Sequence, residues 1–130
     1  MPFIGGDGWD GIEAQYAAVA EGNYFANHYA KTDEAEVVQN FVANYEAEFG
    51  EAPNALAALA YDAAYALAAA FEDAGSADNA AVVAALADLN YTDAVTGSIT
   101  FNADGDPIKA VTIIKVVNGE QTVEAKVEAS

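Results

Sequence analysis

The chain has 130 residues, enough for one ordinary domain and too few for two. Twenty-one acidic residues face four lysines and no arginine, a formal net charge of −17. That balance argues against a nucleic-acid partner and against docking on anionic lipid, since both need clustered Lys and Arg.

Apolar types make up 54% of the sequence, too many for a disordered acidic tail and enough to bury a core. Cysteine is absent, so disulfides, thiolate chemistry and zinc–thiolate centres are excluded. His28 is the single histidine, and a multi-histidine metal site cannot be built within one chain. Neither a metal nor a cofactor is expected. The N-terminal MPFIGGDGWDG has no basic region and no apolar stretch of the kind a signal peptide carries.

Residues 2–6 read as a short strand that runs into the glycine-rich loop Gly5-Gly6-Asp7-Gly8-Trp9-Asp10-Gly11. A short amphipathic helix is expected over 12–20, ended by Gly22, and an aromatic strand over 23–29. Thr32 and Asp33 open a longer helix, with Asp33 and Glu36 in a capping-box pattern. Val37, Val38, Phe41, Val42, Tyr45 and Phe49 follow at helical spacing, and Gly50 and Pro53 stop the run. A second long helix covers about 54–74, with Leu56, Leu59, Ala60, Ala63, Leu67 and Phe71 on the inward face. Tyr61, Asp62 and Tyr65 interrupt its apolar run, so it reads as a buried helix and not as a membrane span. A third helix covers about 78–90, with Val82, Val83, Leu86 and Leu89 inward.

Near residue 94 the period changes from 3.6 to 2. Val95, Gly97, Ile99 and Phe101 alternate with Thr96, Ser98 and Thr100 as in a half-buried strand. Residues 102–107 carry turn chemistry, 108–117 form an apolar strand, and Asn118-Gly119 is a strong hairpin signal leading to a last strand over 121–127. The fold class is α/β. Three helices, centred near Val42, Ala64 and Ala84, are expected to pack on a small mixed sheet with a C-terminal hairpin.

Several patterns invite chemistry. Asn102-Ala103-Asp104-Gly105-Asp106 has the start of a calcium loop, but Pro107 and Ile113 stand where an EF-hand needs Gly and Glu, so a β-turn is the simpler reading. The 5–11 loop is glycine-rich, yet Asp7 and Asp10 would repel phosphate. A carboxylate among glycines beside an aromatic ring suits an ammonium ligand, and a tight solvated loop is the alternative. His28 is read as a packed or solvent-facing side chain. Nothing places Ser76, Ser98 or Ser130 near it, so no catalytic triad can be argued and no enzyme is expected. Tyr61 and Tyr65 share a helix face and are read as core.

Four segments together resemble the C-terminal part of the periplasmic leucine/isoleucine/valine-binding proteins, the type I solute-binding components of ABC transporters. They are PFIGGDGWD at 2–10, GNYFANHY at 22–29, FVANYEAEFGEAPNALAALAYDAAYALAAAFEDAGS at 41–76 and VTGSITFNADGDPIKAVTIIKVVNG at 95–119. The resemblance implies a partial type I periplasmic-binding-protein fold. Residues 1–30 and 109–130 would come from the second lobe of such a protein, and 31–108 from the first. It also implies an amino-acid ligand, a membrane permease as partner, and a periplasmic or, as a lipoprotein, extracellular location. By position, Asp7 would pair with the ligand's ammonium group, and Trp9 beside it is a second candidate for lining the cleft.

The family's carboxylate contacts come mainly from a region this stretch does not contain. With only Lys31, Lys109, Lys115 and Lys126 available, a replacement is not expected, so the stretch alone should bind branched-chain amino acids weakly or not at all. The alternative is an autonomous or engineered α/β module that self-associates. In either case the apolar helix faces predict a homodimer.

Overall fold

A computed structural model describes residues 2–129. In chain order it contains β1 (Ile4–Gly5), a 3-10 turn (Asp7–Trp9), α1 (Glu13–Ala20) and β2 (Tyr24–Asn27). Three helices follow: α2 (Glu36–Phe49), α3 (Ala55–Ala74) and α4 (Asn79–Ala87). The chain ends in β3 (Thr100–Phe101), β4 (Pro107–Ile108), β5 (Val111–Val117) and β6 (Glu120–Val127). The main sheet has the order β1-β2-β5-β6, with β1 parallel to β2 and the other pairs antiparallel, while β3 and β4 form a separate ribbon. This is an α/β fold with a small mixed sheet and a C-terminal hairpin.

Local chemistry explains the element ends. The Asn54 side chain accepts the Ala57 amide at 2.9 Å and opens α3, and Asp78 accepts the Ala80 and Ala81 amides at 3.1 and 3.2 Å and opens α4. Gly50 and Gly75 close α2 and α3 in the left-handed conformation, which costs glycine nothing. Asn118 and Gly119, at φ 55° and 76°, turn the β5–β6 hairpin. The Glu21 carboxylate accepts both of their amides, at 3.0 and 3.1 Å.

Three sequence expectations are corrected. α2 starts at Glu36 with no side-chain cap. Asp33 instead accepts the Ala35 amide at 3.0 Å and pairs with Lys126, so the capping box does not form. The strand expected over 95–101 shrinks to Thr100–Phe101 and a single bridge between Tyr91 and Ile99. The reason is Asp62, which is 2% exposed. Its carboxylate accepts the Val95 and Thr96 amides, both at 2.8 Å, and the Thr96 hydroxyl at 2.6 Å. Those backbone donors are therefore lost to any sheet. Lys109 Nζ completes the network by donating to Thr96 Oγ1 and the Gly97 carbonyl at 2.6 and 3.2 Å. Burial lowers the Lys109 pKa below the ordinary lysine range, against the opposing pull of Asp62.

The third correction concerns which helix faces are inward. In α3 the buried residues are Ala55, Ala58, Asp62, Ala66 and Ala70, whereas Leu56, Leu67 and Phe71 are exposed. Small residues let the helix approach its neighbours closely, and that puts the bulky stripe outside. Val83 of α4 is exposed as well. Tyr61 and Tyr65 are not core. They stack at 4.7 Å on the open face, with Tyr61 against Phe41 at 4.9 Å.

The apolar core falls into two clusters. One joins Tyr29, Val38, Phe41, Ala55, Ala58 and Val95 across the helices. The other joins Ala20, Phe25, Ala30, Ile114 and Val116 on the sheet, with Trp9, Ile12 and Val123 packed against it. Tyr29 and Ala30 are adjacent in the chain and belong to different clusters.

Candidate functional site

β1 and β2 run parallel, so the loops leaving their carboxyl ends emerge at the same edge of the sheet. In open α/β sheets that edge is where ligands bind. Here a cleft of about 460 Å³ opens between this edge and the start of α3. The 5–11 loop contributes Asp7 and Asp10, the exit of β2 contributes Asn27, His28 and Lys31, and β6 contributes Gln121. The opposite wall is Pro53, Leu56 and Leu59.

Asp7 stands free at the mouth. Its side chain is 71% exposed, and His28 Nε2 lies 3.6 Å from its carboxylate. His28 is half-exposed and faces it, as one of the two sequence readings expected. Asp10 is differently placed. Its Oδ1 accepts Asn27 Nδ2 and Gln121 Nε2, both at 3.1 Å, and its Oδ2 accepts the Ala55 amide at 2.9 Å. Glu13 accepts the same Gln121 amide at 3.2 and 3.3 Å. Asp7, Asp10 and Glu13 thus outnumber Lys31 on this wall, which suits a ligand that carries positive charge. Lys31 is nevertheless a cation within the cleft, a placement the sequence did not reveal.

Trp9 is not among the residues lining the cleft. Its indole lies on the backbone of Gly5, where a Cβ would clash with the ring, and it packs on the sheet cluster. The glycine at position 5 is therefore a packing requirement as well as a turn residue. Tyr29 borders the cleft, with its ring edge-on to Phe41 at 6.1 Å. Its hydroxyl is buried without a hydrogen-bond partner among the described residues. Burial first, then the charges of Asp10 and Glu46, push its pKa up, so it stays protonated.

His28 also borders a second hollow of about 340 Å³ that includes Ser98. No hydrogen bond joins the two among the described residues, and Ser130 lies outside those residues. Asn102 Oδ1 accepts the Asp104 and Asp106 amides, both at 2.9 Å, so this stretch closes the β3–β4 turn. A third hollow, about 470 Å³, lies between α2 and α3 and is walled by Phe41, Tyr61, Tyr65 and Tyr91.

Sequence reasoning passed over Asp10, Asn27 and Gln121 as a unit, because they are far apart in the chain. Asp62 did carry a signal. It falls four residues from Ala58 and from Ala66, on the stripe of small residues that is buried.

The sequence profile described as periplasmic binding protein matches residues 1–121. No sequence match is found among curated proteins. Among solved structures, the leucine-binding protein LivK of Thermotoga maritima is 33% identical, with a TM-score of 0.83 over 96% of this chain and 37% of that one. The branched-chain amino acid transporter substrate-binding protein LivJ of Streptococcus pneumoniae, solved with isoleucine, is 30% identical, with a TM-score of 0.77 over 99% of this chain and 37% of that one. A solute-binding protein of an ABC transporter from R. palustris, solved with benzoate, shares the fold at 22% identity, with a TM-score of 0.83 over 99% of this chain and 36% of that one. The chain thus spans little more than a third of the length of these structures. With most of its length matched by the family profile, the chain belongs to the periplasmic binding protein family of solute-binding proteins.

Proposed function

We propose that this chain forms part of the amino-acid site of an ABC-transporter solute-binding protein, and that the solute is a branched-chain amino acid. The observation that carries this is Asp7, an exposed carboxylate at the mouth of a cleft that has no side-chain hydrogen bond among the described residues. It pairs with the solute's ammonium group. Leu56, Leu59 and Pro53 face it across the cleft and take an aliphatic side chain. A wall with three carboxylates disfavours a solute such as benzoate, which brings a carboxylate and no ammonium.

The whole protein delivers its solute to a membrane permease from the periplasm or the outer membrane face, and catalyses nothing. Residues 1–30 and 109–130 belong to one lobe and 31–108 to the other. The composition of the two clusters supports this division, since one draws on residues 20–30 and 114–116 and the other, Tyr29 apart, on residues 38–95. A second reading is favoured by one feature, the exposure of Leu56, Leu67 and Phe71 on α3. On that reading the chain self-associates as a homodimer through this face.

A chemical-shift titration of the chain with L-leucine, L-isoleucine, L-valine and benzoate tests the ligand. A single exposed ion pair contributes roughly 0–1 kcal/mol, and even millimolar binding requires about 4 kcal/mol. The amino acids should therefore bind at millimolar concentration or above, moving the Asp7 and Gly8 amides, and Asp7→Ala should abolish the response. Equal movement by benzoate, or leucine binding that survives Asp7→Ala, would show the ammonium reading to be wrong.

A further inference from the structure

We infer that Asp10 is a positioning residue of this site: its carboxylate clamps the 5–11 loop to both walls of the cleft and so fixes where Asp7 meets an ammonium group. The inference rests on the ammonium-binding role proposed above for Asp7.

The loop cannot hold itself. It carries glycine at positions 5, 6, 8 and 11, and around Gly6 and Gly8 there is open space. Such a segment loses more conformational entropy on ordering than any other, so something must fix it. Asp10 is the residue whose side chain reaches out of the loop in every direction. Through Asn27 it holds β2, through Gln121 it holds β6, and through the Ala55 amide it holds the first turn of α3. These partners lie 17, 111 and 45 residues away in sequence.

Each bond is matched to a carboxylate. Asn27 and Gln121 are 2% and 6% exposed, so their amides cannot turn to water. Asn27 Oδ1 already accepts the His28 amide at 2.8 Å, which leaves Nδ2 to face Asp10. The Ala55 amide is one of the free N–H groups at the start of a 20-residue helix, where negative charge is favoured. All three partners donate. An asparagine at position 10 would turn an N–H₂ group onto another donor, whichever way it was placed.

The clamp acts on Asp7 through one turn of backbone. The Asp10 amide donates to the Asp7 carbonyl at 3.0 Å, and the Trp9 amide donates to Gly6 at 3.0 Å. The two carboxylates therefore have separate duties three residues apart. Asp10 is consumed by the protein, and Asp7 is left to the solute.

The test compares Asp10→Ala, which removes all three acceptor contacts, with Asp78→Ala, which removes a helix-capping carboxylate of α4 remote from the cleft. Amide exchange at Ala55 reads the clamp, and the Asp7 and Gly8 amide shifts on addition of L-leucine read the site. In Asp10→Ala, Ala55 exchange should rise about tenfold or more as its bond is lost, and the leucine response should fall to a third or less. Asp78→Ala should lower the unfolding temperature and leave both readouts as in the wild type. Unchanged Ala55 exchange in Asp10→Ala, or a leucine response like that of the wild type, overturns the clamp. A leucine response lost equally in Asp78→Ala reduces Asp10 to a general stability effect and also overturns it. If the wild-type chain gives no response to leucine while Ala55 exchange rises in Asp10→Ala, the ligand reading has failed and the clamp has not.

Discussion

On the sheet, Phe25, Ile114 and Val116 are each 1% exposed or less, and Trp9, Ile12 and Ala20 close over them. On the helices the order is reversed. Ala55, Ala58, Ala66 and Ala70 of α3 face inward, while Leu56, Leu67 and Phe71 are 75%, 43% and 42% exposed. The sheet cluster is completed by large side chains from within the chain. The helical cluster takes its large side chains from outside α3, at Tyr29, Val38 and Phe41, and α3 itself buries only small ones, which bring less apolar area out of water per residue. α3 is fixed in addition by the hydrogen bonds of Asp62 to the 95–96 backbone and hydroxyl. The sheet is thus held by volume and α3 by a buried carboxylate among small residues, and α3 keeps its larger apolar stripe for a surface outside itself.

The strongest test of that contrast is a pair of truncations. Ile114→Ala should lower stability by about 2–5 kcal/mol, the usual range for emptying a well-packed core site. Leu67→Ala, measured in dilute solution, should stay within about 0.5 kcal/mol, as exposed substitutions do. Urea unfolding at low protein concentration measures both. A comparable loss at Leu67 would mean that the α3 stripe is already covered and that the two regions are alike.

The next test raises the concentration. An apolar face of several hundred Å² is rarely left in water. Light scattering at high micromolar concentration should show a homodimer, and Leu67→Glu with Phe71→Glu should return it to monomer. The net charge of −17 opposes association, but salt screens it beyond about 10 Å at 0.1 M, so the dimer should strengthen with ionic strength. A wild-type monomer under these conditions would remove the self-associating reading.

What the sequence showed, and what it hid, divides along the same line. The three long helices were legible because their period, their caps at Asn54 and Asp78 and their stops at Gly50 and Gly75 are all local. The β5–β6 hairpin was legible because Asn-Gly demands one turn geometry. The inward face of α3 is hidden from the sequence because bulk does not mark burial there: the alanine stripe allows the close approach and leaves Leu56, Leu67 and Phe71 outside. The strand over 95–99 was misread because its alternation is real but its amides are claimed by Asp62, more than thirty residues away. At the site, Asp7 could be singled out from its loop and from a family resemblance. Asp10 could not, since its role depends on partners from three other elements.

The smallest expected effect concerns the contact between the two regions. Asp33 precedes the helices and Lys126 belongs to β6, and their ion pair ties one region to the other. Burial alone would raise the Asp33 carboxyl. The hydrogen bond and charge of Lys126, with the Ala35 amide, outweigh burial and hold the group below the usual aspartate range. The folded state therefore binds this proton less readily than the unfolded chain does. The stabilisation is fully present above the ordinary aspartate value of about 3.9 and fades as pH falls through the lower folded value. Lys126 is 45% exposed, so solvent screening keeps the pair near 0.5–1 kcal/mol, as is usual for about this degree of exposure. Lys126→Ala should be less stable than the wild type by about that amount at pH 7, and the difference should shrink as pH falls below the ordinary aspartate value. Urea unfolding followed at the Trp9 indole and by helical circular dichroism should then diverge slightly in the variant, because the regions are less firmly coupled. A deficit that persists undiminished in acid would assign the effect to the packed lysine stem and not to the charge pair.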